Sequence, residues 1–174
     1  ENTISRLIDA INSGNLSEVR KCLRTRGLDK GVKDTQDYPL VYLGVKKIVT
    51  GRQPESEKQN RLEIIERLIN RGFSVTESSI NRNTPLHEAV RKNLLPVVEW
   101  LLDSGADINA VNKRHETPVS LAARLPEVQT SIFERFSKCV GFNLTARIGR
   151  SSSILKLVES ESRNAGKPAN QKKA

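Results

Sequence analysis

The sequence predicts an all-α solenoid of about four to five stacked helix–turn–helix units, and three observations carry that prediction. Thr84-Pro85 is followed 33 residues later by Thr117-Pro118. Gly72 and Gly105 keep the same step of 33. A fixed period of this length marks small units that cannot bury an apolar face alone and must stack on their neighbours. Composition agrees: only 36% of the 174 residues are hydrophobic and 4% aromatic. That is low for a globule with a central core but ordinary for a thin stack, in which Leu, Ile, Val and Ala do the packing.

The units follow in chain order. In the first, residues 1–32, Val19, Cys22 and Leu23 form the apolar stripe of a second helix, and Gly27 is its C-cap. In the second, residues 33–78, Leu62, Ile65, Leu68 and Ile69 give a strong stripe ending at Gly72. This unit carries surplus residues, placed as a polar loop near 48–60 between its two helices, where an insertion costs little. In the third, residues 79–111, Thr84-Pro85 opens a helix, with proline tolerated in the first turn. Leu86, Ala89 and Val90 make one apolar face; Val97, Val98, Leu101 and Leu102 make the next, closed by Gly105.

The fourth unit, residues 112–145, repeats the plan with Thr117-Pro118, then Pro126 opening a second helix that buries Val128, Ile132, Phe133 and Phe136. Ser151-Ser152-Ser153 caps a closing half-unit at 146–160, and the basic, apolar-poor residues 161–174 are expected to be a disordered tail. The chain begins at Glu1 and contains no Met, so it reads as a piece of a longer protein.

The motif Thr84-Pro85-Leu86-His87-Glu88-Ala89, with Gly105-Ala106-Asp107-Ile108-Asn109-Ala110 behind it, resembles the ankyrin repeat family. The likeness spans roughly residues 4 to 160 and is most specific between 62 and 125. In the first unit, Leu7 to Asn15 resembles the family's opening helix with several substitutions; in the second, Tyr38-Pro39-Leu40 stands in for Thr-Pro-Leu; in the fourth, Ser120 stands where the histidine falls. The resemblance implies short hairpin-like arms between units and a structural role for His87, bonding backbone groups and tying adjacent arms. It also implies that partners are met by the arm tips and the concave face of each first helix.

Transferred by register, those positions are Tyr42, Lys46 and Lys47 in the second unit, then Ile80, Arg82, Arg91 and Lys92 in the third. Lys113, Arg114, Leu121 and Arg124 follow in the fourth. The cations are expected to align as a basic strip, with Asp34, Asp37, Glu88 and Glu116 the chief acids near it. His115 replaces an arm glycine and is read as an exposed tip; Trp100 is read as half-buried packing.

A net charge of +9 favours acidic partners. The chemistry of catalysis is missing: two His and two Cys are scattered without zinc-ligand spacing, and no phosphate loop or nucleophile elbow occurs. No cofactor, metal or catalytic residue is assigned. Cys22 and Cys139 fall in distant units, out of disulfide reach, which fits an intracellular, reducing compartment in cytoplasm or nucleus. No apolar run is long enough to span a membrane, and no secretory leader is visible. The expected function is a non-enzymatic protein-interaction module that binds an acidic or phosphorylated segment along the basic strip. The alternatives are nucleic-acid binding by the same strip, or a rigid spacer or self-association domain.

Overall fold

The computed structural model describes residues 2–49, 51, 54–125 and 130–139. Pro126, Val128, residues 140–145 of the fourth unit, the half-unit at 146–160 and the tail at 161–174 lie outside the described residues. Eight helices are described: α1 (Thr3–Ser13), α2 (Leu16–Leu23), α3 (Leu40–Lys47), α4 (Glu55–Asn70), α5 (Pro85–Arg91), α6 (Leu95–Asp103), α7 (Pro118–Arg124) and α8 (Thr130–Ser137). They pair in sequence. The first helices then pack in the order α1, α3, α5, α7, and the second helices in the order α2, α4, α6, α8. The product is two helical layers sharing one apolar core.

Small side chains set the spacing of the inner layer. Ala10, Gly44, Ala89 and Ala122 are all buried in the first helices, and a Cβ on Gly44 would lie 3.1 Å from Ile65 Cγ1. Larger residues fill the space between layers, with Leu7, Leu40, Leu86 and Leu101 at most 2% exposed.

Between helix pairs the chain forms arms that share one hydrogen-bond pattern. Asp34, Ser79 and Asn112 donate backbone N–H to the carbonyls of Tyr38, Asn83 and Glu116, at 3.0, 2.9 and 3.0 Å. The tip residues Asp37, Arg82 and His115 hold φ of 61°, 59° and 60°, the left-handed region where glycine is the unstrained choice. His115 is exposed there, as expected of a fingertip. Lys113 N–H bonds Asn81 O at 3.0 Å and so joins the arm that opens the third unit to the arm that opens the fourth, called below the third and fourth arms.

This pattern corrects the register of the second unit by one residue. Pro39, not Tyr38, occupies the N-cap position held by Thr84 and Thr117. Tyr42 therefore takes the place of His87 and Ser120, and Lys46 the place of Arg91 and Arg124.

The insertion is also corrected. Residues 55–60 of the expected loop are helical, because α4 already begins at Glu55. Acidic Glu55 and Glu57 stand in its first turn, where the helix dipole favours them. Ion pairs Lys58–Glu55 (3.6 Å) and Arg61–Glu57 (3.2 Å) brace the polar turns. Arg61 lies over the first unit's turn: its Nη1 reaches Ile11 O at 3.4 Å, and a Cβ on Gly14 would be 3.1 Å from its Cζ. The extra turns thus fasten the second unit to the first.

Trp100 is half-buried against the core, and Cys22 and Cys139 are free thiols, the former buried.

Candidate functional site

The inner face of the first helices and the arms beside them enclose a groove of about 420 Å³. Register explains its composition. The register position that Arg91 holds in α5 faces the groove in α3 and α7 as well, which brings Lys46, Arg91 and Arg124 together on adjacent units. The residue before each N-cap faces it too, adding Tyr38, Asn83 and Glu116. Lys113 and Arg114 enter from the fourth arm.

Each cation of the helix row has its own partner. Lys46 Nζ sits 3.7 Å from the centroid of the Tyr38 ring, a cation–π contact, and Tyr38 stacks on Tyr42 at 5.3 Å. Arg91 donates from Nη2 and Nε to the Glu88 carboxylate at 2.5 and 3.1 Å, which holds the guanidinium proton more firmly than usual. Arg124 pairs with Glu116 at 2.9 Å. The Arg91 and Arg124 side chains nonetheless remain 56% exposed, so their unused N–H groups face water. Lys113 and Arg114 are exposed and meet no carboxylate among the described residues.

His87 is built into the groove wall as a strut. Its Nδ1 accepts from Thr84 N–H at 3.2 Å and contacts Thr84 Oγ1 at 2.9 Å, while Nε2–H donates to Glu116 O at 3.1 Å. That pattern assigns the neutral ring protonated at Nε2, and burial pushes its pKa down from the ordinary 6.5. Ser120, at the same register position, closes only the local box, accepting from Thr117 N–H at 2.8 Å. A pH prediction follows from His87. Between its lowered native pKa and 6.5, the unfolded chain binds the proton that the folded chain refuses. Stability contributed here is complete above pH 6.5 and is lost as pH falls through the native pKa. Urea midpoints measured from pH 7.5 to 5 should decline, and His87→Gln should decline less steeply.

Of the residues expected at a partner surface, Tyr42, Lys46, Arg91, Lys113, Arg114, Leu121 and Arg124 line this groove. Tyr42 and Leu121 are only 5% exposed and contribute edges rather than whole faces. Burial, and then the Glu88 charge, push the Tyr42 phenol up. Ile80 and Arg82 are exposed on the third arm but do not line the groove, and neither does half-buried Lys47.

Lys92 is corrected outright. Its side chain is 12% exposed; Nζ donates to Lys46 O at 2.5 Å and to Ile48 O, and lies 3.7 Å from Glu88. It caps the carbonyl end of α3 and is unavailable to a partner. Burial accordingly lowers its pKa.

Sequence reasoning missed Tyr38, Asn81, Asn83 and Asn112 as groove residues; it had placed Glu88 and Glu116 near the strip and given His87 a structural role.

Paired helices in two layers, left-handed arm tips and a histidine strut between arms define an ankyrin-repeat solenoid. The ankyrin repeat family model matches residues 81–113, which include the strut and its capping box. Three relatives extend the comparison. A Fowlpox virus (strain NVSL) protein named as an ankyrin repeat protein is 45% identical over 53 residues, 30% of this chain and 12% of its own length. Zygote-specific protein 3 of Chlamydomonas reinhardtii is 32% identical over 124 residues, 71% of this chain and 30% of its own. The B-cell lymphoma 3 protein homolog of Mus musculus is 32% identical over 77 residues, 43% of this chain and 17% of its own. The chain thus spans under a third of the length of these curated relatives. Ankyrin repeats generally mediate protein–protein interaction. Among the described residues no helix is long and apolar enough to cross a membrane.

Proposed function

We propose that this chain is a non-enzymatic interaction module whose concave groove holds an acidic or phosphorylated segment of another protein. The observation that carries the reading is the imbalance of charge: Lys46, Arg91, Lys113, Arg114 and Arg124 line one groove against Glu88 and Glu116, with His87 neutral. Lys113 and Arg114 supply the attraction that internal pairing does not cancel. Arg91 and Arg124, held in place by their carboxylates, offer fixed N–H groups to incoming oxygens. The free thiols fit an intracellular setting.

Nucleic acid is the weaker reading. A single-strand binder presents free aromatic faces, whereas Tyr38 is covered by Lys46 and Tyr42 is buried.

The test is a fluorescence anisotropy titration with a labelled Glu-rich peptide. Binding should weaken steeply with salt. The double variant Lys113→Glu/Arg114→Glu, which removes no internal ion pair, should lower affinity about tenfold or more. Unchanged affinity would remove the groove from consideration.

A further inference from the structure

The outer layer carries a second concentration of positive charge that the groove does not absorb. The last turns of α2 and α4 lie side by side and enclose a hollow of about 610 Å³, lined by Arg20, Arg24, Arg67 and Arg71 with Leu23 and Asn70. Glu63 of α4 offsets part of this charge. It accepts from Arg20 at 2.5 Å and from Arg67 Nε at 2.8 Å, and the two guanidinium groups hold its carboxyl below the usual range. The other two arginines have no such partner. Arg71 donates one bond, from Nη2 to Thr25 O at 3.1 Å, and the Arg24 side chain makes no hydrogen bond or ion pair among the described residues. Lys30 stands close by, its Nζ 2.9 Å from where a Cβ on Gly72 would lie.

One cation at each helix end suits the exposed carbonyls there. Four guanidinium groups and an ammonium gathered about two adjacent ends exceed that need and repel one another. An anion between them would remove the repulsion.

We propose that this hollow is a second binding site, separate from the groove, that takes the phosphate of a phosphorylated segment in a partner protein. A phosphomonoester near neutral pH offers about two negative charges and three strong acceptor oxygens. The planar forks of Arg24 and Arg71 match those oxygens in pairs, a geometry that an ammonium group cannot offer. Thr25 O already holds Arg71, and Glu63 holds Arg20 and Arg67, so less side-chain freedom is lost on binding. Leu23 gives an apolar contact for residues flanking the phosphate. No aromatic side chain lines the hollow for a base to stack upon. Its lining comes from the ends of two helices and their C-cap residues Arg24 and Arg71, which suits one phosphate better than a run of them.

The experiment titrates the full chain with a labelled Gly-Ala-phosphoSer-Ala-Gly peptide and with its unphosphorylated form. The phosphopeptide is expected to bind in a salt-sensitive way, and the unphosphorylated form to bind at least about tenfold more weakly. Arg24→Gln and Arg71→Gln should each lower phosphopeptide affinity about tenfold. The groove variant Lys113→Glu/Arg114→Glu should leave it unchanged. Arg24→Gln breaks no contact of the folded chain, so its effect reads the hollow and not unfolding. Equal binding of the two peptides would overturn the proposal, as would unchanged affinity in Arg24→Gln. Loss of binding in the groove variant would assign the phosphate to the groove instead. Tighter binding of a duplex oligonucleotide, lost in the same arginine variants, would make the hollow a nucleic-acid contact and equally overturn it.

Discussion

Leu101→Ala is expected to destabilise the protein by about 3 kcal/mol, within the range for emptying a buried leucine site. Leu101 is fully buried on α6, the second helix of the unit with the clearest motif. That helix packs against α4, α5 and α8, so the vacated volume borders three neighbours. Its backbone is fixed as well, because Leu101 O accepts Ala106 N–H at 2.9 Å where the chain leaves the helix. Relaxation into the gap is therefore limited, and the loss includes a cavity contribution besides lost burial. In a stack, stability is nearly a sum of unit and interface contributions, and a central unit participates in two interfaces. A urea denaturation curve should show a lower midpoint with little change in slope. A loss below about 0.5 kcal/mol would mean that the two layers do not share the core described.

Glu88→Gln should do two opposite things at once. The Glu88 side chain is 3% exposed and faces both Arg91 and Lys92. Breaking a buried pair by removing one charge costs about 3–5 kcal/mol when both partners are buried. Arg91 is more than half exposed and regains water, so about 2 kcal/mol is the better expectation here. The remaining cost falls on Lys92, which keeps its bonds to Lys46 O and Ile48 O but loses its counter-charge. The same change leaves the groove more positive by one unit. Affinity for a Glu-rich peptide should therefore rise severalfold while the denaturation midpoint falls. Arg91→Ala is the counterpart: it leaves the buried Glu88 carboxylate with Lys92 alone, so stability should drop by about 2 kcal/mol while affinity falls instead of rising.

What the sequence could tell followed from how local the cause was. Thr84-Pro85 and Gly105 act within their own turns, and the third unit was readable nearly residue by residue. His87 was assigned to structure from the motif, and its bonds to Thr84 and Glu116 agree.

The second unit was misread by one position because its register is set by arm hydrogen bonds, Asp34 to Tyr38, and not by where a proline falls. Its insertion looked like a loop because residues 55–60 lack apolar periodicity. They are helical because acids at the N-terminus and internal ion pairs support a polar helix that is already anchored by Leu62 to Ile69.

Lys92 was the least legible residue. Its partners lie 44 and 46 positions away in the preceding unit, and a lysine beside an arginine on a helix gives no hint of burial. Charge counting was also incomplete, since Arg91 and Arg124 bring their own carboxylates.

The central claim is that the concave groove, with Lys113 and Arg114 at its arm, receives an acidic segment. The most direct measurement is a backbone NMR titration of the isotope-labelled chain with the Glu-rich peptide. Amide shifts are expected to move together, with one affinity, at Lys46, Asn83, Arg91, Lys113, Arg114 and Arg124, and to leave the outer helices α2 and α4 in place. Shifts confined to α2 and α4, or scattered over every exposed lysine and arginine without a common affinity, would contradict it.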